Sequence, residues 1–354
     1  MKNRKRKPRV FLGLVNYGTQ AGYLSEALRK LGYEAYSLTN IDIYNRKSDY
    51  SFKQKKGFLR KILYYKFINN LIKLKCFFKY DIFHFYFGQT LFSTRWDLYF
   101  YKIFGKRVIM EYLGNEIRPH EYLVKRYNLD PDHPFAINSI DHDKSVKNRI
   151  KLEMSLIDCR LVCLPLYIAY ANFYGLPIDG LLNLGVPLPN LVPYKIPDKE
   201  IIIMHAPTSR KFKGTKHFID AINILIERGY NIKFEILDKM SHKFLLKKIE
   251  TCHIFCDQIS EGWYGTVAIE AMAMGKPTCA FIDEEWLEYC PFSEELPIIN
   301  TKSDNVEQVL KYYLDNLDLL CQKSIDSRIF VEKYHDIGSV AEEASKIYKK
   351  LIPH

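Results

Sequence analysis

The chain has 354 residues, 47% of them hydrophobic, and a formal net charge of +11. That much apolar material excludes a disordered polymer and is enough for more than one core, so two domains are expected. Eight cysteines occur singly or in two C-x3-C pairs, Cys159/Cys163 and Cys252/Cys256; with no apolar secretory segment at the start they read as reduced, buried thiols of a cytoplasmic protein rather than a zinc site.

The first nine residues, MKNRKRKPR, form a basic arm or tail. Arg9–Val15 is an apolar strand run, Asn16–Gly22 (NYGTQAG) a glycine-containing loop, and Tyr23, Leu24, Ala27, Leu28 and Leu31 have helical spacing. Gly32 stops that helix before a second strand, Glu34–Leu38. This βαβ opening predicts an α/β fold with parallel sheets covered by helices on both faces. Residues 1–80 hold 19 Lys and Arg against 4 Asp and Glu, whereas the remainder holds 33 against 37. All the positive excess therefore lies at one end. Within it, Lys53–Lys79 carries nine basic residues and no acidic one. Lys66, Asn69, Asn70 and Lys73 make one polar helical face, with Ile62, Leu63, Phe67, Ile68, Leu71 and Ile72 on the remainder. Such a segment suits an anionic membrane surface, a core helix with a solvated basic face, or, third, nucleic acid.

Further strands are expected at Asp81–Phe87, Arg107–Tyr112 and Leu161–Leu164. The longest uncharged run, Leu161–Ile178, is broken by Pro165, Asn172, Gly175 and Pro177, so any membrane association is peripheral. Prolines 187, 189, 193 and 197 then mark a linker, after which strands and helices alternate again from Ile201 to Ile282. The expected domains are 1–190, a linker at 191–199, a second domain at 200–330, and a closing helix at 331–354 that packs back on the first domain.

Two loops of the second half lie at strand ends, where ligands of open parallel sheets bind. In HAPTSRKFKGTKHF, Arg210, Lys211 and Lys213 stand just before Gly214 and a helix start, a cationic addition to a helix N-terminus that suits phosphate. In DQISEGWYGTVAIEAMAMGKP, Gly262, Trp263, Tyr264, Gly265 and Thr266 lead into a helix bearing Glu270; the glycines permit close backbone approach and the carboxylate can accept from a ribose diol.

Together the two loops resemble the nucleotide-sugar domain of group 1 (family 4) retaining glycosyltransferases, which have the GT-B fold of two Rossmann-like parallel-sheet domains facing a cleft. The resemblance implies that Arg210 and Lys213 hold a diphosphate beside Gly214, that Glu270 binds ribose, and that no metal or cofactor is needed. The family's E-x7-E motif is altered: eight residues before Glu270 stands Gly262, and Glu261 is nine before. The carboxylate facing the donor sugar is then lost, supplied by Glu261, or replaced by nearby Asp257. The first half is similar to the family's acceptor domain through NYGTQAG, with Asn16 and Gly18, through Asp81–Gly88, where His84 is the strand-end histidine, and through MEYLGNEIR, with Glu116 and Arg118. His84, Asp257 and Glu261 are the catalytic candidates; a satisfied core or surface histidine is the other reading of His84.

Asp130-Pro131-Asp132 offers the D-x-D of metal-dependent transferases, but it sits in a proline turn with no apolar strand before it. The expected activity is transfer of a sugar from a nucleotide-diphosphate sugar to a glycan or lipid-linked acceptor, with no nucleic-acid partner. The alternatives are a noncatalytic homologue or a basic nucleic-acid or membrane-binding protein, and a nucleotide-sugar epimerase.

Overall fold

The computed structural model describes residues 6–42, 44–53, 57, 63–191, 194–197 and 199–352. Two compact units account for it: Met1–Arg118 with Lys144–Gly185 and Ile337–His354, and Pro119–Asp143 with Val186–Asp336.

The first unit is built on seven parallel strands, β1 (Arg9–Leu14), β2 (Glu34–Thr39), β3 (Tyr50–Ser51), β4 (Ile82–Tyr86), β5 (Arg107–Tyr112), β6 (Cys159–Val162) and β7 (Gly180–Leu181), in the order β3-β2-β1-β4-β5-β6-β7. Continuous apolar runs such as Val10–Leu12 and Ile82–Phe83 are buried because helices cover both faces of the sheet. Val10 lies opposite Ala35 on one side and Ile82 on the other. The order reverses at β1, so the loops after β1 and β4 flank the first sheet's switch point.

Helix Ile337–Leu351 belongs to this unit although it is last in the chain. Ala341, Ala344, Ser345 and Tyr348, at helical spacing, are its buried stripe. Ser345 Oγ lies 2.7 Å from the Tyr33 hydroxyl, and Tyr348 Oη 2.8 Å from His84 Nδ1.

Within the basic segment Lys53–Lys79, residues 54–56 and 58–62 and the side chains of Leu63, Tyr65 and Lys66 lie outside the described residues. In helix Asn69–Lys79 the expected polar face divides: Asn70 is exposed, but Asn69 is buried and Lys73 half-buried, while Leu71 and Leu74 are exposed. The cause is Phe77, whose ring packs 5.1 Å from Tyr101 and 6.3 Å from Phe83 and so fixes which side of the helix meets the sheet.

The second unit has five parallel strands, β8 (Ile201–His205), β9 (Ile232–Ile236), β10 (Ile254–Cys256), β11 (Thr278–Ala280) and β12 (Ile299–Asn300), ordered β12-β11-β10-β8-β9. Its core joins Ile203 and Ile254 of the sheet to Phe218, Ile222 and Leu225, one face of helix Thr215–Glu227. Here the order reverses between β8 and β10. Both loops singled out from the sequence, after His205 and after Cys256, therefore leave the sheet at its switch point.

Pro119–Asp143 interrupts the first half and packs with this unit. Arg126, in helix His120–Arg126, forks onto Asp283 at 2.9 and 2.7 Å, Tyr127 Oη donates to Asp283 at 2.7 Å, and Tyr122 Oη to Glu285 at 3.0 Å. In the proline segment, residues 192, 193 and 198 lie outside the described residues; its first residue, Val186, donates its amide to His335 O at 2.8 Å. None of the described helices is long and apolar enough to cross a membrane, and the eight cysteines are free, all but Cys321 buried.

Candidate functional site

The site of the second unit is assembled from three strand-to-helix loops. After β8, Ser209 caps the short helix Arg210–Lys213, and Gly214 follows with φ +72°. A Cβ at Gly214 would lie 2.4 Å from Ile259 Cγ1, so the two loops touch backbone to side chain only because this residue is glycine. Lys213 is thereby aimed across at the second loop. Its Nζ lies 2.8 Å from Asp257 Oδ1, and the amide of Gly265 donates to Asp257 Oδ2 at 2.6 Å. Asp257 is buried, and it brings one ammonium and one helix-entry N–H to a common point.

Gln258 shapes the loop that follows. Its carbonyl oxygen accepts from the amides of Ser260 and Glu261 at 2.9 and 2.7 Å, and its amide donates to Trp263 O. Gly265 precedes helix Thr266–Ala273. Thr266 Oγ1 and Trp263 Nε1 are buried with no hydrogen-bond partner among the described residues. Glu270 Oε1, one turn along, lies 2.7 Å from His242 Nε2 at the start of helix His242–Ile249.

Gly262 has φ +74°, a conformation that disfavours every residue with a Cβ. A Cβ there would also lie 2.7 Å from Trp286 Nε1, 2.8 Å from Asp283 Cβ and 2.8 Å from Tyr127 Oη. The position eight residues before Glu270 thus has no room for a carboxylate. The wall that closes it is the Arg126–Asp283 pair, reinforced by Trp286 Nε1 donating to Tyr127 Oη at 3.3 Å and by the Arg126 guanidinium 5.0 Å over the Trp286 ring.

Of the other residues picked from the sequence, Arg210 turns outward and forks onto Asp238 at 3.0 and 2.7 Å, more than half exposed. Tyr264 turns inward, its hydroxyl 3.1 Å from His335 Nε2. Glu261 is half-buried on the loop, beside Gly262. Asp132 of the proline turn pairs with Lys211. Among the described residues no group of His, Cys, Asp and Glu could hold a metal ion.

In the first unit, Asn16 and Gly18 follow β1, and Asn16 Nδ2 donates to Lys47 O at 3.0 Å. Glu116 and Arg118 follow β5. Glu116 accepts from the Leu113 and Gly114 amides, and burial pushes its carboxyl up to about 7. The strand-end placement expected for His84 is corrected: it sits mid-β4, fully buried, stacked on Tyr86, with Nε2 2.9 Å from Glu111 Oε2 and Nδ1 at Tyr348. The run Ile82–Tyr86 is buried on both faces, so its histidine is a core residue bonding the sheet to the last helix.

One residue the sequence reading passed over is His205, the last of β8. Nδ1 lies 2.8 Å from Cys256 O and Nε2 2.8 Å from Thr215 Oγ1. A carbonyl only accepts, so Nδ1 carries the proton and Nε2 accepts from the threonine hydroxyl. The neutral ring ties β8, β10 and a helix start together. Burial holds it down to about 4, whereas the unfolded chain takes up its proton near pH ~6.5. Stability contributed by this ring is therefore complete above that pH and falls as pH drops towards 4, by about 3 kcal/mol in all. Urea unfolding at pH 7 and pH 4.5 checks this: the gap in stability between wild type and His205→Gln is expected to shrink at the lower pH, and an unchanged gap would contradict it.

No family model and no curated protein matches the chain. Solved structures do. Sucrose-phosphate synthase from Thermosynechococcus elongatus is similar over 98% of this chain and 99% of its own, with a TM-score of 0.66 at 15% identity. The UDP co-structure of MnaA from S. aureus is similar over 98% of each chain, with a TM-score of 0.56 at 16% identity. WaaG, a glycosyltransferase involved in lipopolysaccharide biosynthesis, matches 96% of this chain and 99% of its own at TM-score 0.54 and 12% identity. What these likenesses show is the fold: two parallel-sheet α/β units of the GT-B type.

Proposed function

We propose that this protein is a glycosyltransferase that binds a nucleotide-diphosphate sugar in its second unit and moves the sugar to a glycan or lipid-linked acceptor recognised by the first. The observation that carries the proposal is the convergence of Lys213 and the Gly265 amide at the switch point, at the entry to the helix that bears Glu270. When the bond from the anomeric carbon to the diphosphate breaks, the electron pair leaves with the phosphate oxygen. Fixed donors aimed at that charge lower the barrier more than any other single arrangement. Lys213, the helix-entry amides and Thr266 Oγ1 are those donors here, without a metal. Glu270 accepts from the ribose hydroxyls once a diol replaces His242 at its carboxylate. Retention at the anomeric carbon, a hexose as the transferred sugar, a cytoplasmic location and a place in surface polysaccharide or glycoconjugate synthesis belong to the same proposal.

A thermal-shift comparison of UDP-, GDP-, ADP- and dTDP-sugars tests donor binding. One nucleotide class at about 100 times its Kd is expected to add about 2.7 kcal/mol of stability, and Glu270→Ala to lose that gain. A lack of response to all four classes would refute the donor site. The likeness to a putative UDP-N-acetylglucosamine 2-epimerase from Listeria monocytogenes, over 97% of this chain and 96% of its own at TM-score 0.53 and 15% identity, together with a Gly262 that leaves no space for a carboxylate, supports a second reading, nucleotide-sugar epimerisation. Mass-balanced product analysis separates the two: an epimerase returns an isomeric nucleotide sugar and no free nucleoside diphosphate.

A further inference from the structure

Two helices of the first unit turn their apolar sides away from the core. In and just before helix Asn69–Lys79, Phe67, Leu71, Leu74 and Phe78 recur at helical spacing and all are exposed, Leu71 by 64%. In and around helix Asp97–Ile103, Trp96, Tyr99, Phe100, Ile103 and Phe104 do the same, Ile103 by 74%. The two stripes meet where the Phe78 and Phe104 rings pack edge to face at 6.1 Å, and Trp96 stacks on Phe92 at 4.8 Å. An exposed apolar surface of this extent marks a partner.

The charge on the patch says which. Lys75 is exposed between Leu71 and Phe78; Lys79, beside Phe78, pairs with Glu34 at 2.8 Å; and half-buried Lys73 lays its ammonium over the rings of Phe52 and Phe92 at 5.9 and 5.7 Å. No acidic residue occurs from Lys53 to Lys79. Asp97, the one carboxylate of the second helix, is buried on Thr90 and Tyr101 at 2.8 and 3.1 Å. Protein interfaces are depleted in lysine at their cores. Tryptophan, tyrosine and phenylalanine interleaved with lysine are the composition of a surface that seats in the headgroup region of an anionic bilayer.

We infer that this two-helix face docks the protein on an anionic lipid bilayer, with Trp96, Phe100, Ile103, Leu71 and Phe78 entering the headgroup boundary and Lys75 meeting lipid phosphate. The inference stands apart from the transferase reading, since it concerns a face that carries none of the donor or acceptor candidates.

Trp96 supplies the readout, because the chain has three tryptophans and the other two, Trp263 and Trp286, are buried. Full-length protein is mixed with vesicles of phosphatidylcholine alone or with added phosphatidylglycerol. Flotation with the anionic vesicles and a blue shift of Trp96 fluorescence are expected, with binding to neutral vesicles about tenfold weaker or less. Phe100→Ser with Ile103→Ser, at exposed positions, is expected to keep the melting temperature and lose about tenfold in vesicle affinity; Lys75→Glu is expected to weaken binding without changing the neutral-vesicle result. Failure of the wild type to float with anionic vesicles overturns the inference, as does undiminished binding by the double serine variant. So does a lipid-free wild-type dimer that the double variant converts to monomer, which would assign the face to a second copy of this chain.

Discussion

Replacing Lys213 by alanine is expected to slow glycosyl transfer by about 10²–10³-fold, the loss that follows removal of one fixed donor to a developing oxyanion. The substitution also strips Asp257 of its cation. Asp257 is buried and keeps only the Gly265 amide, so the variant is expected to lose stability as well, because an uncompensated buried carboxylate is costly. The two effects separate in the double variant Lys213→Ala, Asp257→Asn. With an uncharged group at 257, the melting temperature should return most of the way to wild type while activity stays low. Recovery of activity in the double variant would mean that Lys213 serves only to neutralise Asp257 and never meets the donor.

Gly262→Glu, the substitution that would regenerate an E-x7-E spacing, is expected to damage the protein rather than improve it. The left-handed backbone costs any residue with a Cβ about 1–2 kcal/mol, and overpacking against Trp286, Asp283 and Tyr127 costs about 1–3 kcal/mol more. A drop in unfolding free energy of about 3 kcal/mol or more, read from chemical denaturation, is the expected result. Gly262→Ala should show most of the same loss, since it is the first side-chain atom that collides. A stable Gly262→Glu protein with raised transferase activity would show that the Arg126–Asp283 wall moves aside, and would refute the claim that this position is closed.

The two strand-end loops of the second unit were legible in the sequence because their signals are local. In the first loop a strand run ends and a basic cluster precedes Gly214 within a dozen residues, in the second a strand run ends and glycines precede a helix over a similar span, and the strands β8, β10 and β11 follow from apolar runs. What was not legible depends on residues far apart. Lys213 and Asp257 are separated by 44 positions and Arg126 and Asp283 by 157, and nothing in either stretch announces the other. His84 misled for a different reason: a strand buried on both faces has no alternation, so the sequence gives no sign of where it stops. Tyr264 stands between two site residues yet faces His335, because a tight glycine-flanked turn points successive side chains in opposite directions. Of the readings open for the basic segment, the core helix with a solvated basic face fails at Asn69 and Lys73, since hydrophobicity alone ranks Leu71 above Asn69 and cannot register that Phe77 has anchored the helix by its other edge.

The closing helix Ile337–Leu351 gives the chain an unusual order of assembly. The strands of the first unit precede the second unit in the chain, yet Tyr348 is the partner of His84 Nδ1 and Ser345 that of Tyr33. Until that helix has been synthesised, a seven-stranded sheet stands with a polar histidine and an apolar groove uncovered, while every segment of the second unit has already been made. Vectorial synthesis therefore finishes the two units in the reverse of the order in which it begins them. Translation halted before Ile337 would leave strands made long before it without the helix that covers them, a form exposed to aggregation.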